Sequence, residues 1–70
     1  MFYNYMKALS NIENSMNGIF EDNLNKEQRD LVVKIVDTQL QDLKIPFYRI
    51  FAKRKHSELI GKWNKLKNKI

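Results

Sequence analysis

Cysteine is absent from the 70 residues, and His56 is the only histidine. The first absence removes disulfides and thiolate metal sites and fits a reducing cytosol. The second removes a histidine-based zinc site. Only three residues are glycine or proline (Gly18, Pro46 and Gly61), so there is no Gly-rich phosphate loop and no linker, and no internal repeat is present. No run approaches the roughly 20 apolar residues that a membrane-spanning helix needs. The opening stretch, MFYNYMKALSNIENS, has no basic start and no uninterrupted apolar core, so it is not a secretory signal. No nucleophile stands beside an evident base. These absences predict a cytoplasmic protein that is not an enzyme and holds no cofactor or metal.

What is present is charge, unevenly placed. The net charge is +5. Residues 1–43 carry four basic and seven acidic side chains, whereas residues 44–70 carry nine basic ones and Glu58 as the lone acid. Such asymmetry points to a polyanionic partner. Asn, Lys and Ile make up 25 of the 70 residues, a bias of AT-rich coding DNA that suits a low-GC bacterium, its phage or a mobile element. A chain this short forms one domain with a small core, which leaves helix packing or oligomerisation to stabilise it.

The apolar residues repeat with a helical period throughout. Phe2, Tyr5, Met6, Leu9, Ile12, Met16, Ile19 and Phe20 share one face and predict a helix over about 2–20. Asn25, followed by Gln28 three residues on, predicts a capping box that opens a second helix over about 26–43. The apolar arc of that helix covers half its circumference, which predicts a central position or a subunit interface. Pro46 predicts a stop and a restart. Beyond it, Phe47, Ile50 and Phe51 fall out of phase with Leu59, Trp63, Leu66 and Ile70. The slip predicts a short helix over about 46–54, a corner at KRKHS, and a fourth helix over about 57–69 capped by Ser57. One continuous helix with apolar residues on two sides is an alternative, and a strand at FYRIF, favoured by its aromatics, is a weaker one. The expected fold is therefore all-α, a compact bundle of three to four short helices, helix-turn-helix-like in its C-terminal half.

The segment LNKEQRDLVVKIVDTQLQDL, in its ending Asp37, Leu40, Asp42 and Leu43, resembles the second half of the small helical Hha/YmoA regulators of enterobacteria, which modulate a nucleoid protein. The resemblance covers about 20 residues, the basic C-terminal third departs from that family, and it assigns the chain to no family.

Two functional expectations follow. In the first, a corner near residue 55 gathers Arg49, Lys53, Arg54 and Lys55 with the ridge Lys62, Lys65 and Lys69 into one patch. That patch would contact phosphates of nucleic acid, DNA first, in a small regulatory protein. In the second, the protein is a modulator or inhibitor that docks on an acidic partner protein, with aromatic and methionine side chains as anchors. The N-terminal face Phe2, Tyr3, Tyr5 and Met6 is the candidate protein interface, a homodimer included. Glu13 lies inside the first apolar stripe and is expected either to snorkel to water at its edge or to pair with a Lys or Arg from another helix. Trp63, at helical spacing with Leu59 and Leu66, is expected in the core.

Overall fold

The structure, a computed structural model, describes residues 4–21 and 23–69. Three helices follow one another: α1 (Tyr5–Glu21), α2 (Lys26–Asp42) and α3 (Ile50–Lys67). No strand occurs among the described residues. The all-α bundle expected from periodicity is what forms, 39 × 25 × 18 Å in extent.

Each start has a local cause. The Asn4 side chain accepts from the Lys7 backbone N–H at 3.1 Å, and its carbonyl accepts from Ala8 at 3.1 Å. Among the described residues helix α1 therefore begins at Tyr5. The proposed anchors Phe2 and Tyr3 lie outside the described residues. At α2 the capping box is complete: Asn25 accepts from the Gln28 N–H at 2.8 Å, and the Gln28 side chain accepts from the Asn25 N–H at 3.0 Å. Both satisfy donors that a helix N-terminus otherwise leaves unpaired. Leu43 ends α2 in an extended conformation. Pro46 then opens no helix. Its carbonyl accepts from Arg49 at 3.0 Å, closing a tight turn through Phe47 and Tyr48.

The core joins all three helices. Leu9, Ile12, Met16 and Ile19 come from α1, Val36 and Leu40 from α2, and Ala52, Leu59 and Trp63 from α3. No polar or charged side chain is buried among the described residues. The central helix is α1, which packs on both others, whereas α2 and α3 meet more sparingly. That corrects the expectation of a central α2. Leu31 and Ile35 of its wide apolar arc stay exposed, and Val32 and Val33 are only half-buried.

The expected corner at KRKHS is also corrected. Residues 50–67 form one helix, about 27 Å long at 1.5 Å per residue. Ser57 sits in its middle, exposed, and caps nothing. The phase slip is real, but only one of the two apolar sets is packed. Leu59 and Trp63 are buried and Leu66 is half-buried, whereas Phe47, Ile50 and Phe51 face outward. With no corner between two helices, the helix-turn-helix outline has no support. No helix among the described residues is long and apolar enough to cross a membrane.

Candidate binding surface

A continuous α3 decides where its cations go. Consecutive residues on a helix point about 100° apart, so Lys53, Arg54 and Lys55 fan out in three directions. Lys55 turns toward α1, where its Nζ lies 3.4 Å from Glu13 Oε1. Lys62, two turns on along the same face, reaches Glu13 Oε2 at 3.3 Å. Glu13 is thus the carboxylate that ties α1 to α3, in keeping with the pairing expected of it. The Lys62 hydrogen bond holds its pKa below the ordinary carboxylate value; partial burial opposes this, and Lys55 adds to it. Two of the seven cations proposed for phosphate contact are therefore engaged inside the fold.

The other five (Arg49, Lys53, Arg54, Lys65 and Lys69) are exposed, and no ion pair engages them among the described residues. They do not converge. Arg49, Lys53 and Arg54 sit at the start of α3, and Lys65 and Lys69 at its far end, about 20 Å along the axis. Lys67, which lay outside the expected set, pairs with Asp37 of α2 at 3.1 Å. Asp37 also accepts the indole N–H of Trp63 at 2.6 Å. His56 donates from Nε2 to the Leu40 carbonyl at 2.8 Å, tying α3 to the last turns of α2.

The feature that sequence reasoning misplaced is the apolar apex between α2 and α3. Phe47 is 83% exposed, Phe51 77%, Tyr48 65% and Ile50 63%. The turn closed by Pro46 and Arg49 presents the rings of Phe47 and Tyr48, and the opening turn of α3 presents Ile50 and Phe51. Phe47 and Tyr48 meet edge to face, centroids 5.9 Å apart and planes at 77°. The Arg49 guanidinium covers Tyr48 at 5.6 Å from the ring centroid. Lys53 and Arg54 follow Ile50 at i+3 and i+4 and so neighbour it on the helix surface. No acid occurs between residues 43 and 57. Helix α3 also opens with no side-chain cap and no acid in its first turn, so the positive end of its dipole stays uncompensated there.

The N-terminal interface expected at Tyr5 and Met6 fares differently. Tyr5 is half-buried and packs against the core, and Met6 is exposed. Among the described residues no group of three or more His, Cys, Asp or Glu is placed to hold a metal ion.

Comparison with known proteins returns no match. No family model fits the chain, the Hha/YmoA-like segment included. No curated protein and no solved structure matches it.

Proposed function

We propose that this protein is a small docking module that binds an acidic partner protein through the apex of Phe47, Tyr48, Ile50 and Phe51 ringed by Arg49, Lys53 and Arg54. The carrying observation is four large apolar side chains, each more than 60% exposed, placed together on one turn and one helix start. Apolar surface of this kind, rimmed by charge, marks interaction sites. Aromatic and arginine side chains dominate the energetics of protein interfaces. The surrounding cations favour an acidic partner and speed its approach. A modulator or inhibitor role, of phage or mobile-element type, is consistent with so small a module.

Nucleic acid is the second reading, favoured by the five cations that lack an ion-pair partner among the described residues. Three observations weaken it. The α3 cations fan out, two of the seven are spent on Glu13, and the rings of Phe47 and Tyr48 stand nearly perpendicular. A platform for successive bases needs ring faces that stacked bases can share.

Capture of a partner with Phe47→Ala/Phe51→Ala and with Arg49→Glu/Arg54→Glu tests the choice. A protein partner is lost with the apolar pair and survives nuclease treatment. If retention vanishes on nuclease treatment and the apolar pair changes nothing, the nucleic-acid reading takes its place.

A further inference from the structure

Beside the apex, the end of α2 and the start of α3 leave a cleft of about 380 Å³, lined by Leu43, Lys44, Ile45, Pro46, Lys53 and His56. Its chemistry is divided. Leu43, Ile45 and Pro46 give an apolar floor, and Lys44 and Lys53 stand on its walls. Among the described residues Lys44 Nζ reaches only the Gln41 carbonyl, at 3.5 Å. Lys53 has no side-chain hydrogen bond or ion pair among the described residues. The His56 wall is fixed by its bond to the Leu40 carbonyl. A second copy of the chain does not suit this end of the molecule. Apex against apex would set Arg49, Lys53 and Arg54 against the same cations, an arrangement that like charges oppose.

Resting on the protein-docking reading, we infer that this cleft is the anion subsite of the docking surface. It takes a carboxylate side chain of the partner between Lys44 and Lys53, and an adjacent apolar side chain lies on Leu43, Ile45 and Pro46. The partner's recognition element is accordingly a short segment that carries an acidic residue beside an aliphatic one. The apex rings anchor the flanking surface, and the cleft selects for charge at one position. A carboxylate there makes charge-assisted contacts that an amide of the same shape does not.

The test uses the full chain, isotope-labelled, titrated with the peptide acetyl-Leu-Glu-Leu-Glu-amide and with its Gln-for-Glu counterpart. The acidic peptide is expected to shift the signals of Lys44, Lys53 and His56, and the neutral one to leave them in place. Lys44→Gln and Lys53→Gln each weaken binding by about 1.5- to fivefold, the range of one exposed charge pair. Both residues are surface lysines, so the variants stay folded. Equal shifts from both peptides, or shifts confined to Lys65 and Lys69, overturn the subsite. So does saturation of the same residues by a thymidine 20-mer or by phosphatidylserine vesicles when the acidic peptide has no effect; nucleic acid or lipid then takes the site.

With a captured partner in hand, the two levels separate. Loss on Phe47→Ala/Phe51→Ala with unchanged affinity in Lys44→Gln/Lys53→Gln overturns the subsite and leaves the docking reading standing. Retention in both double variants overturns both.

Discussion

The Trp63 indole N–H, on a side chain that is 99% shielded from solvent, is met at 2.6 Å by Asp37 of α2. That bond lets α3 bury the largest side chain of the core without leaving a polar atom unpaired. Lys67 closes on the same Asp37 oxygen from outside at 3.1 Å. One carboxylate therefore serves a buried donor and an exposed cation, and the two contributions are separable.

Removing the acceptor leaves the indole N–H buried without a partner, which costs about 1–3 kcal/mol. Asp37→Ala is expected to lower unfolding stability by that much, measured by urea denaturation. Asp37→Asn keeps an acceptor oxygen and loses the ion pair with Lys67, for which about 0–1 kcal/mol is expected. In a Trp63→Phe background the Asp37→Ala loss shrinks, because no donor remains to be orphaned. Equal losses in both backgrounds would show that the bond contributes nothing.

Glu13 gives a pH dependence of definite sign. Its folded-state pKa is lowered from 4.5 by Lys62 and Lys55. A depressed carboxylate contributes stability that is present above its unfolded value and lost as pH falls through the folded one. Denaturation midpoints are expected to fall below about pH 4.5 in the parent chain. Glu13→Gln removes that share of the slope and lowers stability at neutral pH. A Gln variant whose acid limb superposes on the parent's excludes Glu13 as a contributor.

Gly61 offers a gain. It lies in the middle of α3, exposed, and a Cβ built there meets nothing within 4 Å. A helical glycine costs about 0.8–1 kcal/mol relative to alanine. Gly61→Ala is expected to raise the melting temperature by about 4–8 °C, the shift that 1 kcal/mol produces in a domain of this size. It should leave binding at the apex untouched. A lower melting temperature would mean that the glycine is needed for a contact made in an assembly.

Much of the fold was legible because helical periodicity is a strong signal when glycine and proline are scarce. The face Leu9, Ile12, Met16 and Ile19, the capping box at Asn25 and Gln28, and the core place of Trp63 follow directly from spacing. The corner did not follow, because it assumed that Phe47, Ile50 and Phe51 are packed. Apolar residues fill cores, but they are also found outside, so apolarity alone does not license burial. Once those three are allowed to face solvent, the phase slip no longer requires a break. The signal for Glu13 was also present. Lys55 and Lys62 stand seven apart on one helical face, opposite the one acid in the α1 stripe. What spacing does not convey is that the turn at Pro46 and the start of α3 leave Phe47, Tyr48, Ile50 and Phe51 all exposed.

The three adjacent cations KRK supply the sharpest discrimination. On a continuous α3 they point apart, so charge reversals at the three positions have different consequences. Lys55→Glu sets a like charge beside Glu13 and is expected to destabilise the fold. Lys53→Glu and Arg54→Glu touch no ion pair and are expected to fall within about 0.5 kcal/mol of the parent, as exposed substitutions do. Binding orders them the other way. Lys53→Glu and Arg54→Glu reduce affinity for an acidic partner, more at low salt than at high salt, whereas the Lys55 variant loses affinity only in proportion to the fraction unfolded. Urea denaturation and binding titrations at two salt concentrations separate the effects. Equal stability losses at all three positions would contradict the single helix and restore the corner.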